Sequence, residues 1–390
     1  MKLGELVIFR TGKLDSNAAC DNGEYPFFTC SQETYRTNTY AFDCEAVLLG
    51  GNNANGIYPL KYFRGKFDAY QRTYVICSKD NNVLLNRYLY YALRPKLSLL
   101  QSHSSGVTTK FLTLGILKNI DLDVPPKENQ SKIASILSAY DDLIENNTRR
   151  IKILEEMAQR IYKEWFVDFR FPGHKKVKFV NSELGKIPEG WRVELLDKYV
   201  DFERGVEPGS NNYEKNATKE NIPFLRVGDL GNRSIEIFVN QSLTENKIIK
   251  EDDIAVSMDG TPGIVKMGLF GCYSTGIRKL VIKDNIMKKS FLYFLMISEH
   301  IQNIIKAHSK GTTILHASES IKNMNFILPA SDLMKIFDEM VSPMIKEILS
   351  LNKKNKILRE TRDLLLPKLI SGELDVSDLD INTGEINERK

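Results

Sequence analysis

Apolar residues alternate at spacings of four and three through Ile133, Leu137, Tyr140, Ile144, Ile151, Leu154, Ala158, Ile161 and Trp165, with Asn147 supplying the one polar layer. A seam of that period, held for more than four heptads, predicts a long helix with a coiled-coil stripe. Pro125 and Pro126 mark its start, where a missing N–H costs nothing. At 1.5 Å per residue, about forty residues make a rod of about 60 Å. A second seam runs through Phe337, Val341, Met344, Ile348, Leu351, Leu358, Leu365 and Leu369. Asn355 interrupts it, Arg362 sits at a weak layer, and Pro367 is expected to end the regular helix.

The two seams belong to a larger repeat. Thr108-Thr109-Lys110 matches Thr312-Thr313-Ile314, each just after a glycine (Gly106, Gly311). Asp121-Leu122-Asp123-Val124-Pro125 matches Asn325-Phe326-Ile327-Leu328-Pro329, and Lys152-Ile153-Leu154-Glu155-Glu156 matches Lys356-Ile357-Leu358-Arg359-Glu360. All three correspondences share an offset of 204 residues. With small gaps, Phe9-Arg10-Thr11-Gly12 resembles Phe202-Glu203-Arg204-Gly205 and Pro26-Phe27 resembles Pro223-Phe224. Halves of this length are duplicated domain-plus-helix units rather than solenoid repeats.

Short β-type runs at 46–49, 73–77, 254–256 and 279–282, amphipathic helical stretches at 84–93 and 291–306, and Gly/Asn-rich loops make each globular half mixed α/β. The expected plan is an α/β protein of two globular domains, 1–124 and 186–328, separated by two long antiparallel coiled-coil helices, 125–171 and 329–370. A linker at 172–185 and a tail at 371–390 complete the chain, and the internal repeat is pseudo-two-fold. In that arrangement the seam midpoints, near positions 149 and 353, meet. Leu137, Ile144, Asn147 and Leu154 of the first helix and Val341, Ile348, Asn355 and Leu358 of the second are the expected helix-pairing residues, with Asn147 opposite Asn355 as a register-setting layer. A generic amphipathic helix packed on its own domain is the alternative for either seam.

Composition narrows the class without naming it. Hydrophobic content of 42% and charged content of 27% are those of an ordinary globular protein. No apolar run approaches the ~18 residues that span a bilayer, and the first residues carry no apolar signal core, so a cytoplasmic location is expected. A net charge of +4 permits nucleic-acid binding but does not argue for it. Cys20, Cys30, Cys44, Cys77 and Cys272 are odd in number and form no CxxC pair, which points to reduced, mostly buried thiols. His103, His174, His300, His308 and His316 form no i,i+4 metal pair, and His308 and His316 read as surface residues rather than ligands. Asp141-Asp142 reads as solvated helix charge. Neither a phosphate-binding GxxxxGK[ST] run nor an Asn-Pro-Pro-aromatic motif is present, so no catalytic residue, cofactor or metal is assigned.

Three segments, in this order and on this duplication, carry a family resemblance: Trp165-Phe166-Val167-Asp168-Phe169, Gly185-Lys186-Ile187-Pro188-Glu189-Gly190-Trp191, and Leu365-Leu366-Pro367-Lys368-Leu369-Ile370-Ser371-Gly372. They resemble the exit from the central helix, the lead into the second target recognition domain, and the end of the distal helix of the specificity subunit of type I restriction-modification enzymes. The first domain departs from the pattern, opening at Leu3-Gly4-Glu5-Leu6 without a Gly-Trp lead. The resemblance implies a non-catalytic subunit whose domains each read one half of a bipartite site in double-stranded DNA. It further implies helices that set the spacer and dock two methyltransferase subunits, joined by a restriction and translocase subunit. A coiled-coil assembly protein with inert domains, and a recognition protein working with a methyltransferase alone, are the other readings.

Reading bases requires directional hydrogen bonds to their edges, with cations on the phosphates. In the first domain the candidates are Asn52, Asn53 and Asn55 in a Gly/Asn loop, then Tyr58, Lys61, Arg64, Lys66 and Arg72. The matching stretch of the second domain offers Asp259, Thr261, Lys266, Arg278 and Lys279. A second candidate region is Thr108, Thr109 and Lys110, matched by Lys310, Thr312 and Thr313. A plain turn is the competing account of the Asn/Gly loop, and helix capping that of the threonines.

Overall fold

The computed structural model describes residues 1–53, 57–103, 110–231, 236–311, 315–381 and 383. The chain divides into two compact units, one of Met1–Asn146 with the chain from Asn355 onward, the other of Asn147–Lys354. The division falls inside both long helices.

In the first unit, strands Val7–Thr11, Thr73–Ser78, Phe42–Gly50, Leu60–Ala69, Tyr25–Phe28 and Tyr35–Thr37 lie side by side in that order. Neighbours are antiparallel except Tyr25–Phe28 and Leu60–Ala69, which run parallel. The strand Phe42–Gly50 is covered on both faces, so its apolar run Ala46-Val47-Leu48-Leu49 is unbroken instead of alternating. Val47 and Leu49 join a core with Tyr88 and Leu89 of helix Asn86–Leu93 and with Leu137, Leu366 and Leu369 of the long helices. Ala46 and Leu48 join a smaller cluster with Phe28, Phe67 and Val75. Each large side chain fully buried in this way contributes about 1.5–3 kcal/mol over its exposed state.

The second unit repeats the plan in two smaller sheets. One contains Val200–Arg204, Ile277–Ile282, Ile254–Ser257 and Val265–Lys266; the other contains Phe238–Asn240, Asn221–Leu225, Gly271–Tyr273 and Ile248–Ile249. The strand continuous as Leu60–Ala69 in the first unit is interrupted here around Gly268, whose φ of 80° belongs to the left-handed region. The helix expected over 291–306 is two helices, Lys289–Ile297 and Glu299–Ala307. Ser298 breaks it: its backbone is extended and its hydroxyl caps the second helix by accepting from the Ile301 N–H.

The first long helix spans Lys127–Tyr162 and ends in a π-turn, Lys163–Val167. Pro126 precedes it and supplies the carbonyl for its first helical bond, from the Gln130 N–H. The second spans Ser331–Ser371 and so continues through Pro367, contrary to the sequence expectation. The proline lies in the last turns, where one lost N–H bond is offset by Leu366 and Leu369, both buried on either side of it. Along the first helix Leu137 and Ala158 are buried and Ile144, Asn147 and Leu154 half-buried, while Leu143, Ile153 and Met157 between them are exposed. Along the second, Val341, Leu351 and Asn355 are buried and Ile348 and Leu358 half-buried.

The helices are antiparallel within each unit taken alone. In the first, the Asn355 amide donates to the Ile144 carbonyl at 3.5 Å, and Arg362, one turn and more further on, pairs with Asp141. In the second, Arg150 pairs with Glu347 at 2.8 Å, and Tyr162 packs its ring on Phe337. Asp141 is therefore not simply solvated charge. All five cysteines are free thiols, and only Cys272 is buried.

Candidate nucleic-acid interface

The two regions that the sequence offered separately are joined in each domain into one two-stranded ribbon. In the first unit Asn52–Asn53 pairs antiparallel with Lys110–Phe111, placing Asn52 opposite Phe111. In the second, Asp259–Gly260 pairs with Leu315–His316, placing Asp259 opposite His316. The backbone anchors match. The Leu112 N–H donates to the Gly51 carbonyl at 2.9 Å, and the Ala317 N–H donates to the Met258 carbonyl at 2.8 Å. The Gly51 N–H reaches the Arg72 carbonyl, and the Met258 N–H reaches the Gly276 carbonyl, both at 2.8 Å.

Side chains brace the ribbon from below at matched strand positions. Tyr74 Oη donates to the Leu112 carbonyl at 2.7 Å in the first unit. In the second, Arg278 Nη2 donates to Ser318 Oγ at 3.0 Å, and its Nη1 to the carbonyls of Thr275 and Ile277. Close backbone packing also explains the Gly12 and Gly205 match. A Cβ on Gly12 would lie 1.7 Å from the Ala69 carbonyl oxygen, and one on Gly205 would lie 2.1 Å from that of Tyr273.

Several candidates are buried or engaged within the protein, and two lie exposed on a strand. Tyr58 is buried in the core. Arg278 is 7% exposed, and burial lowers its pKa against the opposing pull of Asp259. Its guanidinium is spent on hydrogen bonds within the protein. Lys279 is engaged by Glu203 at 3.0 Å and by the Ile248 carbonyl at 3.2 Å. Lys61 donates to the Glu33 carbonyl and to Thr34 Oγ1, and burial lowers its pKa to about 8. Arg64 and Lys66 are exposed at strand positions opposite Glu45 and Asp43, and Lys66 lies over the Tyr40 ring.

Others remain on the surface around the ribbon. Arg72 is exposed, its guanidinium over the Phe111 ring at 5.3 Å. Thr261 and Lys266 are exposed, and the turn carrying Thr261 is held by buried Ser257, which donates to the Thr261 carbonyl and accepts from the Ile264 N–H. Lys310 is exposed and paired with Glu319 at 2.7 Å. Its backbone exchanges two hydrogen bonds with His316. Asn55, Thr108, Thr109, Thr312 and Thr313, and the side chains of Asn53 and Lys110, lie outside the described residues. Sequence reasoning passed over His316 and Phe111, although the repeat sets them at nearly equal distances past the matched loops. Among the described residues no group of His, Cys, Asp and Glu could hold a metal, and no helix is long and apolar enough to cross a membrane.

Comparison with known proteins agrees with this duplicated architecture. The type I restriction modification DNA specificity domain matches residues 1–156 and again 188–359. The MjaIX specificity subunit of Methanocaldococcus jannaschii is 33% identical over 320 residues, covering 78% of this chain and 72% of that protein. The EcoDI specificity subunit of Escherichia coli is 33% identical over 221 residues, covering 52% of this chain and 48% of that protein. In fold, the S subunit of a type I restriction-modification system from M. genitalium superposes with a TM-score of 0.68 over 95% of both chains, at 17% identity. Two specificity domains in tandem, each followed by a long helix, place the chain in the family of type I restriction-modification DNA specificity subunits, which recognise DNA and do not themselves catalyse.

Proposed function

We propose that each domain reads one half of a split duplex site, using the ribbon Asn52–Asn53/Lys110–Phe111 in the first domain and Asp259–Gly260/Leu315–His316 in the second. The observation that carries this reading is one backbone device built twice and tipped with unlike side chains: Asn52 and Phe111 in one copy, Asp259 and His316 in the other. A structural scaffold gains nothing from varying those positions, whereas two half-sites of different sequence require it. Arg72, Lys266 and the surrounding exposed cations supply phosphate contacts. The long helices act as a ruler, since half-sites on one face of a duplex recur every ~34 Å. They also dock two methyltransferase subunits, with a translocating nuclease subunit joining the complex in the cytoplasm, where its DNA is.

Methylome sequencing of cells carrying the chain, with and without one heptad deleted from each long helix, tests the reading. A split methylation motif whose gap shortens while both halves persist supports it. An unaltered methylome, with the protein expressed, rejects it in favour of an assembly role.

A further inference from the structure

We infer that His316 is a base-reading side chain of the second domain and that Asp259 is its positioning residue; this rests on the half-site reading above. Asp259 and His316 face each other across the ribbon, and His316 Nδ1 lies 2.7 Å from Asp259 Oδ1. With Nδ1 donating to the Asp259 carboxylate, the neutral tautomer of His316 leaves Nε2 as a hydrogen-bond acceptor. The His316 side chain is 63% exposed while that of Asp259 is 20% exposed, so the ring projects and its partner stays behind.

The support beneath the pair is built. Arg278 is buried with hydrogen bonds to neutral acceptors, Thr275, Ile277 and Ser318, and Asp259 is the acid whose charge acts favourably on it. Asp259 faces His316 across the ribbon, and its charge acts on Arg278 without a direct ion pair between them. The Asp259 backbone is fixed through the Met258 and Asp259 N–H groups on the Gly276 carbonyl. The nearby Lys310 is neutralised by Glu319, which leaves the imidazole as the directional group of the ribbon's outer strand. An acceptor nitrogen held at a fixed angle suits a base-edge N–H, the exocyclic amine of adenine or cytosine in the major groove. In the first domain the matched position is Phe111, with Arg72 over its ring, so the two ribbons read by different chemistry.

The test replaces codons in the chromosomal gene and compares methylomes. His316→Ala is expected to make one position of one half-site degenerate, raising methylation of sites mismatched there about tenfold or more, with the other half-site unchanged. Asp259→Ala is expected to relax the same position, and Asp259→Asn, whose side-chain oxygen still accepts from Nδ1, to restore it. Retention of the full motif in His316→Ala, degeneracy spread over both halves, or failure of Asp259→Asn to rescue would each overturn the inference while leaving the half-site reading standing. If His316→Ala abolishes methylation, His316→Gln decides: recovery with relaxation at a single position supports the inference, and continued inactivity overturns it. A wild-type methylome without any split motif overturns both readings.

Discussion

The guanidinium of Arg362 in the second long helix pairs with the carboxylate of Asp141 in the first, and the same carboxylate accepts from Tyr91 Oη at 2.7 Å. Arg362 occupies a seam position, where an unpaired cation would be costly. Asp141 answers that charge from the facing helix, and Tyr91 extends the link to the sheet-covering helix of the same unit. The side chains are 12% and 26% exposed, enough shielding for the pair to matter more than a surface ion pair.

Arg362→Ala should therefore destabilise the chain by about 2–4 kcal/mol. Asp141→Ala should cost a similar amount, and the double variant less than the two together, by about 1–3 kcal/mol. Urea unfolding of the three variants measures this. Simple additivity would show that the pair does not couple the helices.

Gly12→Ala and Gly205→Ala should each impair folding of their own domain, because the added carbon would overlap a carbonyl oxygen of the neighbouring chain segment. The expected cost exceeds about 2 kcal/mol. Gly173→Ala is the control. Its φ is 86° but nothing lies within 4 Å of the added atom, so only the backbone strain of about 1–2 kcal/mol remains. Thermal unfolding should rank the three accordingly.

Exposed and buried cations should separate cleanly in DNA binding. Arg72→Ala and Lys266→Ala are expected to weaken binding to all duplexes alike, each lowering the slope of log K against log salt by about one. Arg278→Ala should instead reduce stability, since it removes the buried hydrogen bonds to Thr275, Ile277 and Ser318. Binding isotherms at several salt concentrations, together with unfolding curves, distinguish the two behaviours.

Glu203 should make the second domain acid-sensitive. Burial alone would raise its pKa, but Tyr273 Oη at 2.6 Å, Lys279 at 3.0 Å and Lys247 at 3.4 Å bring it below the ordinary carboxylate value. A depressed folded-state pKa contributes stability above the unfolded value of about 4.3, lost as pH falls through the folded value. Glu203→Gln should accordingly cost most near pH 7, and the gap from wild type should close on acidification below about pH 4. A gap independent of pH would assign the effect to packing.

What the sequence determined by itself was whatever rests on periodicity and repetition. The four-three spacing from Ile133 to Trp165 marks the first long helix because residues at that period share one face of a helix, whatever they pack against. The offset of 204 residues exposed the duplication because both copies meet the same backbone constraints, as at Gly12 and Gly205. Other outcomes depended on partners remote in the chain, which only the tertiary structure supplies. Arg278 and Lys266 are both cations after a glycine-rich turn, yet one is buried under the ribbon and the other exposed. His316 looked like an isolated surface residue until strand pairing set it against Asp259, fifty-seven positions earlier. Pro367 stayed within its helix because Leu366 and Leu369 are buried on either side of it. Local pattern chooses the element, but burial and charge pairing are settled by which elements meet, and that is why the helices were legible in the sequence and the paired ribbons were not.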